Sequence, residues 1–236
     1  APRTGNVSAG TSIFAMLVLE KPLAGVHHEI DVVTTPAGDS VAMVHCNNGA
    51  SEIGVWAGVF GEFAKALGVD ASSDRIFEAL LGSALDGQAD GAGLLAYNNL
   101  SGEPVTGLEQ GRPLVIRTPD SSLTLANLMR AQVYGMFATL SLGMKVLAAQ
   151  GVQVEKLYAH GGIFRTAGVA QRFLAAALDT EVSVSETAGH GGPWGSAVLA
   201  SFRQFIEANP QASLDSYLDE LVFAEAELGE SLTAEL

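Results

Sequence analysis

The chain has 236 residues, 48% of them hydrophobic and 16% charged, so it can bury a large core and is not a disordered polymer. A formal net charge of −14 repels nucleic acid and anionic membranes, and no apolar run reaches the ~20 residues that cross a bilayer, so neither is expected as a partner. A single cysteine, Cys46, excludes an internal disulfide and suits a reducing cytoplasm, and the five histidines show no zinc-site spacing, so no metal ligands are expected.

The first six residues, APRTGN, lack an initiator methionine, a capping signal and an apolar anchor, and read as the middle of a longer chain. Val7 to Leu19 is largely apolar and is broken by Gly10-Thr11-Ser12, which predicts strand, tight turn, strand. The turn is either plain punctuation or a phosphate grip that offers a hydroxyl and bare backbone N–H groups. Glu29 to Thr35 and Val41 to Asn47 predict a second strand pair. Asn47-Asn48-Gly49-Ala50-Ser51 then opens a helix over Glu52 to Leu67, with Ser51 or Asn48 as N-cap. Its inward side is expected to carry Ile53, Trp56, Phe60, Phe63 and Leu67. Gly54, Gly58 and Gly61 weaken it by about 1 kcal/mol each and suit close packing on another backbone or a flat ligand.

Ser72 or Ser73 caps a second helix with Ile76, Phe77, Leu80 and Leu81 inward. Leu94 to Tyr97 is a short strand candidate, followed by the loop NNLSGEPVTGLEQGRP. Glu103 and Glu109 in this loop are read as solvated charges, with the edge of a ligand site as the alternative. Leu123 to Gln150 is the longest helix. Its core stripe is Leu125, Leu128, Met129, Val133, Met136, Phe137, Leu140 and Met144, and Gly151 stops it.

Glu155 to Ala200 reads strand, Gly-Gly, helix, twice over. Both glycine pairs, Gly161-Gly162 and Gly191-Gly192, follow a histidine. The strands are expected at Leu157 to Ala159 and Val182 to Ser185. The first helix is expected at Ala167 to Leu178, and the second opens near Pro193 and runs to about Ala208. A strand that ends in glycines bares its backbone to a ligand and aims helix N–H groups at it. The acidic, helix-prone tail would dock through Tyr217, Leu218, Leu221 and Val222. This order predicts an α/β fold, a mixed β-sheet with helices on both faces, and no second core.

Six segments carry a resemblance: NVSAGTSIF (Asn6 to Phe14), NNGASEIGVW (Asn47 to Trp56), LLAYNNLSGE (Leu94 to Glu103), NLMRAQVYG (Asn127 to Gly135), AHGGIFRTAGVAQ (Ala159 to Gln171) and GHGGPWGSAVLA (Gly189 to Ala200). In order and spacing they resemble the C-terminal domain of FGGY-family carbohydrate kinases, with xylulokinase-like and ribulokinase-like members nearest. The resemblance implies an actin-like ATPase, ribonuclease-H-like domain over residues 1–208 and an acidic helical extension over 209–236. It implies that the N-terminal sugar-binding domain, with the general-base aspartate, is not in this chain, so no catalytic residue is expected here.

ATP and Mg2+ are implied, and so is transfer of the γ-phosphate to a sugar hydroxyl, a ketopentose such as xylulose. Gly10, Thr11 and Ser12 would grip phosphate, and Gly49 would lie near ribose and adenine. Gly161 and Gly162 would pack bare backbone on adenosine, with Thr166 near the adenine. A non-catalytic actin-like nucleotide-binding or interaction domain, or a glycerol- or gluconate-type kinase of the same family, are the alternatives. The apolar surface left for the missing half makes self-association plausible. Tyr134, Gln132 and the His-Gly-Gly-Pro-Trp form of the last glycine motif depart from the family pattern.

Overall fold

The computed structural model describes residues 2–185, 188–224 and 231–233. The first half contains β1 (Thr4–Ala9), β2 (Ile13–Val18), β3 (Ile30–Thr34), β4 (Ser40–Cys46), α1 (Ser51–Ala66), α2 (Ser73–Ser83), β5 (Leu94–Tyr97) and β6 (Leu114–Arg117). The second half contains α3 (Leu125–Ala149), β7 (Lys156–His160), α4 (Val169–Leu178), β8 (Glu181–Val184), α5 (Gly191–Ala208), α6 (Leu214–Tyr217) and β9 (Ser231–Leu232).

Seven strands form one sheet in the order β3-β4-β2-β1-β7-β8-β9. β1 pairs antiparallel with β2 from Gly5 opposite Leu17 to Ala9 opposite Ile13, which leaves Gly10, Thr11 and Ser12 as the turn. β4 extends the antiparallel half, whereas β7 runs parallel to β1 and β8 parallel to β7. β1 and β7 therefore end side by side, with Ser8 opposite His160. Ligands in such sheets gather beyond adjacent strand ends of this kind.

Strand alternation decides which face is buried. Val7, Ala9, Ile13, Ala15, Leu17 and Val44 point to one side and are buried. α3 lies on that side, with Gly143 directly against Val44. α4 packs on α3 and β8, and α1 and α2 complete the layer. The side chains of Met136, Phe137, Leu140, Phe173 and Leu174 fill the space between helices and sheet. On the opposite face Phe14, Met16, Met43 and His45 are half-buried, the Phe14 and His45 rings stacked at 4.2 Å. α5 has no fully buried residue; its Phe202 and Phe205 rings stand 5.3 and 5.1 Å from the Tyr217 ring of α6.

Several expectations are corrected. β6 and β9 have no counterpart in the periodicity; β6 pairs only with β5, in a separate hairpin against α3. In α1, Ile53, Trp56 and Phe60 do face inward, but Phe63 is 61% and Leu67 65% exposed. Among the described residues nothing packs on Gly54 or Gly58, so their close-packing role on another backbone is not met there. The helix N-cap is Ala50 rather than Ser51 or Asn48, with no side-chain cap; its amide and that of Gly49 donate to carbonyls of the β1–β2 turn. Ser72 caps α2 as expected, accepting from the Arg75 amide. In the tail, Tyr217 docks but Leu221 is exposed; residues 225–230 and 234–236 of the expected extension lie outside the described residues.

Candidate functional site

The end of β1 is where the glycine turns meet. Gly49 stands against the hairpin turn: its amide donates to Thr11 O at 2.7 Å and the Ala50 amide donates to Gly10 O at 2.8 Å. A Cβ on Gly49 would lie 2.5 Å from Gly10 O and 3.0 Å from Thr11 O. From the other side Gly161, at φ +121°, presses on the carbonyl of Ala9, where a Cβ would collide. Its amide donates to Ala188 O at 2.8 Å. Gly191 joins the group by lying on the His160 ring, a Cβ there falling 2.7 Å from Cγ. Turns that are 39 and 151 residues beyond Gly10 in the chain thus close on one point.

Within this cluster, Thr11 is exposed at the hairpin tip and Ser12 is half-buried, its hydroxyl donating to Asn47 O at 3.3 Å. The Gly49 and Ala50 amides are consumed by the hairpin, so the first helix does not present them to a ligand. Nothing lies within 4 Å of a Cβ placed on Gly10 or Gly162, so both leave backbone open beyond the strand ends. Gly162 opens a short 3-10 turn, Gly162–Arg165, and Thr166 closes it, half-buried. Thr166 is joined to the glycine cluster through that turn.

The strand, Gly-Gly, helix reading needs correction at both pairs. After Gly161 the chain makes the 3-10 turn, and α4 starts only at Val169, behind Gly168 at φ +74°. α4 therefore does not aim its first amides across Gly162. Gly191 and Gly192 do not precede α5 but form its first turn.

One part of the site escapes a local reading. Glu103, expected to be a solvated charge, is 0% exposed. Its Oε2 accepts from the Asn48 amide at 3.2 Å and from Asn48 Nδ2 at 3.0 Å. Asn98 Nδ2 donates to Asn48 O and Gly49 O at 3.1 and 3.0 Å. Two loops 50 residues apart are thereby knitted behind Gly49. The signal in the sequence was four asparagines, Asn47, Asn48, Asn98 and Asn99, each pair at a strand end. Glu109 is exposed, as expected.

Electrostatics near the cluster are set by burial. Burial holds the His160 imidazole below the usual histidine range and raises the Glu52 carboxyl in the first turn of α1. Among the described residues, no three His, Cys, Asp or Glu side chains gather to hold a metal ion.

The family model for the C-terminal domain of the FGGY family of carbohydrate kinases matches residues 5–203. The chain belongs to this family. The FGGY domain superimposes on xylulose kinase from Rhodospirillum rubrum with a TM-score of 0.71 at 20% identity, covering 100% of this chain and 43% of that one. Gluconate kinase from Lactobacillus acidophilus gives 0.70 at 15%, with 99% and 43% covered. Plasmodium falciparum glycerol kinase with ADP gives 0.66 at 16%, with 95% and 42% covered. The chain thus spans less than half the length of these kinases, and its fold is the actin-like ATPase fold that FGGY kinases share. No curated protein matches it by sequence.

Proposed function

We propose that this domain is the ATP-binding half of a sugar kinase, with the nucleotide held at the glycine cluster. The observation that carries this is the convergence of Gly49 and Gly161 on Ala9, Gly10 and Thr11. Residues 1–208 are assigned as the nucleotide domain and 209–236 as an acidic C-terminal extension; the expected all-helical form is not kept, because Ser231 and Leu232 pair with β8 as a strand. Backbone at Gly162 would pack on adenosine, with Thr166 near the base and Gly49 near the ribose. Gly10, Thr11 and Ser12 would receive the phosphates, Thr11 being exposed at the tip. The kinase would be cytoplasmic, in keeping with this domain's single, unpaired and buried cysteine.

In the intact enzyme the Thr11 hydroxyl would stabilise charge developing on the transferred γ-phosphate, and closure of the two halves would exclude water and align the sugar hydroxyl. Mg2+, arriving on the nucleotide phosphates, would supply charge neutralisation; this domain's described side chains do not gather to bind it. The acceptor is read as a ketopentose such as xylulose. The gluconate kinase superimposes almost as well as the xylulose kinase, 0.70 against 0.71, so a gluconate- or glycerol-type acceptor is the second reading. A substrate panel on the full-length parent separates them. The exposed apolar stripe Val55, Val59 and Phe63 supports self-association of the isolated domain, which a concentration series in size-exclusion chromatography would reveal.

The deciding test is calorimetric titration of the chain with Mg-ADP. Weak, saturable heat that Thr11→Ala diminishes is expected, and in the full-length parent the same change should lower kcat more than sugar affinity. An unaltered kcat would remove Thr11 from the site.

A further inference from the structure

We propose that Glu103 is the positioning residue of the nucleotide site: its buried carboxylate grips Asn48 and so fixes the joint that holds the Gly10-Thr11-Ser12 turn in place. This rests on reading that turn as the phosphate grip.

The links are consecutive. Glu103 is seated by its own backbone, its amide donating to Leu108 O at 2.8 Å and its carbonyl accepting from the Leu108 amide at 3.1 Å. Gly107, at φ +68°, makes the tight return between them. Oε2 then takes two bonds from Asn48, one from backbone and one from side chain. Asn48 Oδ1 in turn accepts from the Ser101 amide at 3.0 Å. The next two amides along the chain, of Gly49 and Ala50, are the ones bonded to the Thr11 and Gly10 carbonyls. Movement of Asn48 is therefore movement of the turn that carries Thr11.

A carboxylate is a costly way to close a loop, since its charge must be taken from water. Neighbouring Cys46 feels that charge: burial first, and then Glu103, push its thiol up. A charged acceptor does hold an N–H more tightly than a neutral one, and here one oxygen orients both donors of one residue. Oε1 has no partner among the described residues. An amide in place of the carboxylate can therefore keep both bonds and put its NH2 where Oε1 stands.

The experiment uses the full 236-residue chain, with Mg-ADP calorimetry and amide hydrogen exchange on the same samples. Glu103→Ala should weaken Mg-ADP binding about tenfold and speed exchange at Gly49 and Ala50, with the sheet amides of Val7 and Leu157 protected as in the parent. Glu103→Gln should restore binding to within about threefold of the parent. Asn48→Ala should reproduce Glu103→Ala, and the double variant should be no weaker than either single. Unchanged exchange at Gly49 and Ala50 in Glu103→Ala overturns the proposal. So does a Glu103→Gln as weak as Glu103→Ala, which would mean that the charge itself meets the ligand. Should Glu103→Ala fail to fold, Asn48→Ala and Glu103→Gln still decide both points. Absence of heat in the parent chain overturns the nucleotide reading, and a positioning role with it, even where faster exchange still marks the joint.

Discussion

The amide of Gly49 donates to the carbonyl of Thr11 at 2.7 Å, joining the start of the first helix to a turn 38 residues earlier. There is no room for a side chain at this joint, since a Cβ would meet Gly10 O at 2.5 Å, with Thr11 O and the buried Ile13 Cγ1 each at 3.0 Å. Gly49→Ala is expected to cost about 1–3 kcal/mol, the usual range for overpacking, and to weaken Mg-ADP binding. Urea denaturation and calorimetry read the two effects. Full stability in this variant would show that the turns are not locked together.

Gly161 and Gly162 make an internal control. Gly161 needs its positive φ and lies on the Ala9 carbonyl, so Gly161→Ala combines backbone strain with a collision. It should destabilise the fold by at least about 1–3 kcal/mol. Gly162→Ala meets open space and should leave stability within about 0.5 kcal/mol. Affinity is predicted to behave differently, because Gly162 is where adenosine would touch backbone. Lost stability without lost binding at Gly162 would reverse the two assignments.

These pairs show what was legible in the sequence. Glycine after a strand is a local signal, so every turn of the cluster was visible, and so were both strand pairs of the β-rich start. Partners of the glycines were not, because the parallel register of β1 with β7 joins segments about 150 residues apart and has no local signature. Glu103 was misread for the same reason: a glutamate in a Gly- and Pro-containing loop has the composition of surface, and the partner of its carboxylate, Asn48, is 55 residues away. Phe63 and Leu67 fit the helical period, yet among the described residues too little lies over the last turns of α1 to bury them. Periodicity gives the side of a helix and not the length of what it packs on.

Tyr134, read from the sequence as a departure from the family pattern, lies beside Arg130. The buried guanidinium donates from Nε to Tyr134 Oη at 2.8 Å and from Nη1 to the carbonyls of Ala84, Leu85 and Gly87 at 3.4, 3.5 and 3.1 Å. Its carbon centre stands 5.2 Å from the Phe173 ring centroid, and Tyr134 Oη passes a hydrogen bond on to Ala89 O at 2.8 Å. Among the described residues, carbonyls and rings rather than a carboxylate compensate the charge, and they pin the end of α2 to α3. Arg130→Met, which keeps the stem, should cost about 2–3 kcal/mol, and Tyr134→Phe less than that. A double-mutant cycle by thermal unfolding should show the two to be coupled; strict additivity would mean that Tyr134 serves another purpose.

His160 makes stability near neutrality depend on pH. It ends β7 opposite Ser8, with Gly191 of α5 on its ring and Arg165 nearby against Gly189. Burial holds its folded-state pKa below the usual histidine range, so around that range the unfolded chain binds more protons than the folded one. Stability is therefore complete above the ordinary histidine pKa and falls as pH drops through it. Glu181 acts elsewhere: its hydrogen bond from Lys156 holds it below the ordinary carboxylate value of 4.5, so its contribution is lost only on further acidification. The melting temperature should decline as pH falls from about 7.5 through the ordinary histidine range, where burial opposes the charge on His160. His160→Gln should flatten that part of the profile and leave the acid limb in place. Parallel profiles for parent and variant across this window would mean that His160 does not titrate against the fold.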